Sequence, residues 1–379
     1  MTAMSVVWRL AFATSLIMLA FAMAAPVLAI ILQQSGHATT TVGAFAMIPF
    51  LMVALLIPVV PRVLARWGIV RAYRWGCVLQ LAAILGFAMG DGLAVWSVAA
   101  VSGGIGAAAL WNATEALLAR EAPPERRGRV MGLYQTGLGA ALALGPFVPA
   151  LLGWGARPVL WAGVVLVAIC CAIALAVPRH ATTEPPSHLA AGTWHALRAA
   201  PLLAVIALIG GVFEAGLSSV SAAYASATGL GLGTAATVAG AIGFGSFACQ
   251  YPAGYAADHF RTGAVFSVAA LLLFAASVSV AFAGTLPWLL WAAGVVWGGV
   301  GGALYTLTMV QVAHQFAGRA TAGGAAAMIT GYTAGGTLGP LASGAALDLA
   351  GVGGLAATLG LLALVALWAA RRLEQPGAG

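Results

Sequence analysis

Charge is what this chain has least of. Acidic and basic side chains make up only 7% of its 379 residues, while 62% are hydrophobic, and the mean hydropathy is +1.01. A soluble globule of this size could not cover its surface with so few polar groups. The class in which such a composition is expected is the polytopic membrane protein. Lysine is absent altogether, so all 16 basic residues are arginine, and they cluster in short segments between apolar runs. That placement reads as membrane topology rather than as a nucleic-acid surface, and it excludes nucleic acid as a partner.

Cysteine is also scarce. Cys77, Cys170, Cys171 and Cys249 all fall inside apolar runs without CxxC spacing. They read as reduced packing residues. No metal-ligand, phosphate-loop or nucleophile motif is present, so neither a cofactor nor a metal is expected. Gly104-Ile-Gly106-Ala-Ala-Ala109 imitates a dinucleotide fingerprint, but no strand precedes it, and it reads as helix packing. A membrane-embedded transferase would need a carboxylate cluster or a catalytic histidine near an interface. The nine acidic residues are scattered and the histidines lie in loops or the linker, so enzymatic activity is not expected.

Apolar runs of about 20 residues suffice to cross a bilayer. They fall near residues 6–32, 41–60, 71–90, 93–119, 129–152 and 157–177, and again near 200–226, 234–257, 263–283, 286–313, 320–346 and 351–370. The first run continues past the signal-peptide-like Ala22-Met23-Ala24 and reads as a span. Between the two sets of six lies the polar, proline-bearing stretch from Pro178 to Arg198, which cannot continue a helix or build a core. The expected organisation is a helical bundle in 1–177, a cytoplasmic linker in 178–199 and a second bundle in 200–379. With the N-terminus inside, every arginine except Arg157 falls on the cytoplasmic side, so both termini are expected there.

The two halves also repeat. The fifth span carries Gly137, Ala141 and Gly145-Pro146, and the eleventh carries Gly331, Gly335 and Gly339-Pro340. Small residues at every fourth position let helices approach closely, and proline opens the backbone ladder one turn back. These stripes are consistent with packing alone or with a hinge.

Two six-helix halves, a central linker and a charged loop after the second helix of each half resemble the major facilitator superfamily, whose loop reads roughly Gly-x3-Asp-Arg-x-Gly-Arg-Arg. In the second half, Gly254-Tyr-Ala-Ala-Asp258-His259 matches its first part. In the first half, Pro61-Arg62-Val-Leu-Ala65-Arg66-Trp67-Gly68 keeps the arginines and the glycine but has Ala65 in place of the aspartate. Val60 to Arg66, Arg127-Gly128-Arg129-Val130 and Gln250-Tyr251-Pro252-Ala-Gly254 resemble the bacterial YcaD-like subgroup. The resemblance spans the chain. It implies an all-helical fold of twelve spans in a bacterial inner membrane, working as a monomer, in which Arg62, Arg66, Gly68, Gly254 and Asp258 form a cytoplasmic gate. Gly132, Gly145 and Pro146 also resemble an exporter-associated motif, from which Ala141, Pro149 and Ala150 depart.

Only Glu115 and Glu214 place a charge well inside the spans. A carboxylate there costs about 2.5–3.5 kcal/mol even on lenient insertion scales, so each needs a partner, a cavity or a proton. Glu214 has no basic residue at its depth, which leaves protonation, either as a structural hydrogen bond between helices or as a carrier of H⁺. Glu115 lies near Arg120, and an ion pair or a substrate contact fits equally. The superfamily places its first, fourth, seventh and tenth helices around a cavity. By that resemblance the cavity candidates are Trp111, Asn112, Phe213, Ser218, Trp297 and Tyr305, with Tyr134 and Gln135 nearby. Each polar one has an alternative as a helix–helix hydrogen bond. The expected activity is secondary active transport of a small neutral-to-cationic amphipathic molecule, by proton-coupled export, with proton-coupled uptake as the alternative.

Overall fold

In a computed structural model, residues 3–57, 59–121, 127–177, 193–315 and 319–373 are described. Most of the expected linker falls outside them. The described residues are almost entirely helical: α1 (Ala3–Gln34), α2 (Thr39–Leu56), the short α3 (Val60–Trp67), α4 (Ile69–Met89), α5 (Leu93–Glu121), α6 (Arg127–Leu144), α7 (Val148–Leu152) and α8 (Ala156–Leu175), then α9 (Thr193–Ala199), α10 (Pro201–Gly211), α11 (Ser218–Ala227), α12 (Leu232–His259), α13 (Thr262–Ser279), α14 (Leu289–Gln315) and α15 (Arg319–Leu373). Ten helices among the described residues are long and apolar enough to cross a bilayer, and the bent pair α10–α11 makes an eleventh. The 55 residues of α15 are two helices joined at Ala350 and Gly351, whose backbone is not helical. Gly351 has φ +60°, in the left-handed region where a side chain is strained.

Two apolar cores form. One joins side chains of α1, α2, α4, α5 and α8, with Tyr73, Ile84 and Leu117 fully buried. The other joins α10 to α15 around Phe213, Phe266 and Trp297. A membrane gives helices no hydrophobic drive to associate, so close packing must supply it, and glycine makes that possible. Gly335 on α15 has no room for a Cβ against the Leu208 carbonyl of α10, and a Cβ on Gly331 would lie 2.8 Å from the Ala204 oxygen. Gly145 is likewise pressed on α1, where a Cβ would meet that of Ala22 at 2.6 Å. The Gly-Pro pairs of the two halves behave differently. Gly145–Phe147 forms a 3₁₀ turn between α6 and α7, whereas Pro340 lies within continuous helix.

The two cores meet along three lines, all toward one end. On the first, α6 and α7 run against α12: a Cβ on Gly233 would lie 3.0 Å from Ala150, one on Gly240 would strike the Phe147 ring at 2.6 Å, and one on Gly243 the Leu142 oxygen at 2.6 Å. Gly139 then faces Phe247. One turn further the same faces continue to Gln135 and Tyr251, and both are exposed, Tyr251 by 82%. The helices have separated. On the second line α2 crosses α15, with Gly43 against the Pro340 carbonyl and Phe50 against Gly336. On the third, Gln34 Nε2 donates to Ser226 Oγ at 3.0 Å. The molecule is closed at the end holding Gln34, Ala150 and Asp348, and open at the end holding Arg62, Arg66 and Arg261.

Asp348 holds the closed end. The residue preceding α2 is Ala38, which has no side chain able to cap the helix. The first amides of α2 instead donate to the Asp348 carboxylate across the interface, Thr39 N–H to Oδ1 at 2.9 Å and Thr40 N–H to Oδ2 at 2.6 Å. Losing a helix cap costs about 1 kcal/mol. Asp348→Ala is therefore expected to shift the closed-to-open ratio at this end by roughly fivefold. Spin labels at Gly36 and Leu349 should report a larger long-distance population in the variant; an unchanged distance distribution would show that the cap does not hold the end shut.

Candidate functional site

The helix carrying Glu214 does not run straight. Between α10 and α11, residues Val212–Gly216 form a single π-helical turn, and the axis bends by 45° there. Such turns insert one residue into the helical ladder and commonly mark functional positions. Glycines on the neighbouring helices make room for it. A Cβ on Gly301 would lie 2.9 Å from the Glu214 amide nitrogen, and one on Gly302 would lie 2.8 Å from Glu214 Oε1. From α15, Gly339 packs against Val212 and Gly216, with Cβ-to-Cα separations of 3.2 and 3.3 Å. The Gly-Pro stripe of α15 thus backs onto the turn that presents the carboxyl.

Hydroxyl groups surround the Glu214 side chain. Ser246 of α12 donates to Oε1 in a short hydrogen bond, and the Tyr332 hydroxyl of α15 reaches the same carboxyl. Next to them Thr306 donates to Gln250 Oε1 at 2.8 Å. The rings of Tyr332 and Tyr305 lie 4.6 Å apart, and Tyr305 is in electrostatic range of both Glu214 and Glu115. Glu115 Oε1 accepts the indole N–H of Trp111, one turn back on α5, at 2.5 Å.

The remaining sequence candidates divide by position. Gln135 is exposed, and Ser218 is half-buried next to the π turn. Asn112 is half-buried and turns its amide onto the Ala108 carbonyl at 2.8 Å. Phe213 and Trp297 lie in the packed interior of the second bundle rather than on a cavity wall, and the Trp297 indole donates to Ser277 Oγ at 3.3 Å. Tyr134 is buried in the first core, within electrostatic range of Glu115. At the open end Arg62 and Arg66 are exposed on or beside α3, and Gly68 joins α3 to α4 with φ +79°, a conformation that requires glycine. Gly254 has open space around it. The Asp258 side chain and those of Arg120, Arg127 and Arg129 lie outside the described residues, as does Arg126.

Ser246, Gln250, Thr306 and Tyr332 were not among the candidates. Their signal was in the sequence: Ser246 and Gln250 are spaced one turn apart in an otherwise apolar run, a polar stripe on one helix face.

The sequence profile of the Major Facilitator Superfamily matches residues 10–248, more than half of the chain. The chain belongs to the Major Facilitator Superfamily. Among proteins of curated function none matches it. Among solved structures, the nucleoside transporter NupG superposes with a TM-score of 0.78 at 12% identity, covering 97% of each chain. A D-xylose–proton symporter superposes with a TM-score of 0.77 at 12% identity, covering 98% of each. A bacterial homologue of the human lysosomal transporter Spinster, in an inward-facing and unoccupied conformation, gives 0.67 at 16% identity over 97% of this chain and 95% of its own. These likenesses establish the fold. This superfamily membership makes the chain a multi-pass membrane transporter.

Gly302 has no room for a larger side chain beside Glu214 and Gln250. Gly302→Val is expected to push on the carboxyl and on Gln250, with overpacking costs of about 1–3 kcal/mol and a lower melting temperature in detergent. Gly284→Ala, which meets open space, is the control and should melt with the parent protein. Equal melting temperatures for all three proteins would mean that the second bundle yields easily at this point.

Proposed function

We propose that this chain is a secondary active transporter of a bacterial inner membrane that moves a small neutral-to-cationic amphipathic molecule by alternating access, exporting it in exchange for protons. In this reading, residues 1–177 and 200–379 are the two six-helix bundles, 178–199 is the cytoplasmic linker, and the break at Ala350–Gly351 separates the last two of twelve spans. Both termini are cytoplasmic, which puts all the arginines but Arg157 on the inside and makes the present conformation inward-facing.

The observation that carries the proposal is the setting of Glu214: an acidic side chain on a π turn, in a bend of a spanning helix, held by hydroxyl groups and with no basic side chain at its depth. An ionised carboxylate unpaired in low dielectric is costly, and taking up a proton removes that cost. Hydroxyls serve both forms, because each can donate to the carboxylate and accept from the acid. Glu214 is the proton carrier. Rocking of the bundles about the lines where α2 meets α15 and α6 meets α12 would expose it to each side in turn. Among the described residues no basic side chain acts on either carboxyl, which argues against a dianionic substrate such as a sugar phosphate.

The test uses purified full-length protein with a pH-sensitive dye, titrated with a library of small amphipathic compounds. A ligand that displaces protons from the parent protein should displace none from Glu214→Gln. Proton release on binding marks exchange, whereas proton uptake with the ligand marks symport. Binding with no proton movement in either protein would remove Glu214 from the coupling role.

A further inference from the structure

The two carboxyls of the cavity are not equivalent, and the difference bears on the substrate. The inference rests on the transporter reading above. Glu214 is met by two hydroxyl groups of its own bundle. Among the described residues, Glu115 is met by the Trp111 indole of the same helix, at Oε1. An ionised carboxylate has about four acceptor positions, so most of this one's remain for a ligand. Trp111 is 38% exposed, which leaves part of its ring open as well as its N–H engaged.

We propose that Trp111 and Glu115 are the binding wall for the positive charge of an organic cation. Three independent features point the same way. The carboxylate attracts the charge directly. The indole ring offers its negative face within one helical turn, and a cation over such a face is attracted whether or not it can donate a hydrogen bond. Tyr305 of α14, in electrostatic range of both carboxyls, adds a second aromatic ring. The surroundings reinforce the choice of sign. Among the described residues, no basic side chain acts on Glu115 or Glu214. A cleft lined by one sign of charge with low-dielectric walls concentrates the opposite ion.

A purely structural role for the pair fits less well. An indole N–H buried in a helix interface needs only a neutral acceptor, as Trp297 finds in Ser277 and Trp291 finds in Thr237. A carboxyl in this position adds a desolvation cost that those pairs avoid. The position of Glu115 on the first bundle and of Glu214 on the second also gives the substrate a mechanical role. A cation between them attracts both bundles, and it favours loss of a proton from Glu214. The ligand class is therefore an organic cation with an aromatic or aliphatic body, and an uncharged molecule of the same shape binds poorly.

The probe is tetraphenylphosphonium, with uncharged triphenylphosphine oxide as comparator, each titrated calorimetrically into the full-length protein in detergent. Tetraphenylphosphonium is expected to bind saturably and at least roughly tenfold more tightly than the oxide. Glu115→Gln should weaken it by roughly tenfold or more while Glu115→Asp retains most of the affinity, and Trp111→Ala should weaken it by roughly threefold. Melting temperatures close to the parent's would show that these variants are folded, and retained binding in Glu115→Asp does so independently. Equal affinity for the oxide, no saturable binding of the cation, or binding unchanged in Glu115→Gln would each overturn the proposal. Calorimetric binding does not depend on proton movement, so a failure of Glu214 as carrier leaves this result standing, and the two readings fail separately.

Discussion

Hydrocarbon provides no partner for a polar group, so every hydroxyl, amide and carboxyl in the middle of this chain must be satisfied by the chain itself or by a water-filled cavity. The packed interior between α1, α4 and α5 meets the requirement with neutral groups. Thr14 of α1 lies 2.9 Å from both the Tyr73 hydroxyl of α4 and the Thr114 hydroxyl of α5, and Tyr73 also reaches the Leu10 carbonyl. The result is a knot of hydroxyls that ties three helices and carries no charge. The corresponding interior of the second bundle holds Glu214. The hydroxyl knot of the first half is thus fixed by neutral bonds, whereas the hydroxyl cluster of the second half surrounds a group whose hydrogen bonds change with its protonation.

Holding that group requires space, and glycine provides it. Gly301 and Gly302 lie against the π turn, and Gly335 and Gly339 bring α15 backbone to backbone with α10 and the turn. The stripes that let helices approach are therefore part of the site. A bulky residue at any of these places would separate α14 or α15 from the bend and leave the carboxyl without its hydroxyl partners. Arg74 shows the same economy at the open end of the first bundle. Its guanidinium donates to the Ala174, Leu175 and Val177 carbonyls at 3.1, 3.0 and 2.5 Å, closing the C-terminus of α8, where a cation also suits the helix dipole. A residue whose placement reads as a topology signal is also a structural cap.

Much of this was legible in the sequence, because length and hydrophobicity alone define a span. The first span needed no correction, and α4, α5 and α8 begin and end within about two residues of the apolar runs that announce them. Orientation of individual side chains was not legible. A helix apolar on every side has no periodicity to say which face looks inward. Phe213 and Glu214 are adjacent, yet one is buried in the core and the other faces the hydroxyl cluster. Trp297 failed for the same reason: nothing in the run Gly294 to Gly302 distinguishes the core face from the cavity face. The bend at Glu214 was also hidden, since a π turn arises from neighbouring backbones that fit around it rather than from any local signal.

Asp348 was the least legible, because its role belongs to no single helix. It lies at the end of one apolar run and caps the start of another more than 300 residues earlier in the chain. Its counterpart at the other end of the molecule is the loop between α2 and α4. There the superfamily pattern places an aspartate that latches the cytoplasmic side shut, and this chain has Ala65. That loop position therefore lacks the carboxylate of the pattern, whereas the closed end has Asp348 on the amides of α2. A cap at one end and its absence at the other act in the same direction. Both favour the conformation closed at Asp348 and open at the arginine-bearing end. Reaching the opposite conformation requires the two amides of α2 to lose their cap, and some compensating interaction must offset that loss of about 1 kcal/mol. A ligand bound between Glu115 and Glu214, as proposed, would supply such an interaction.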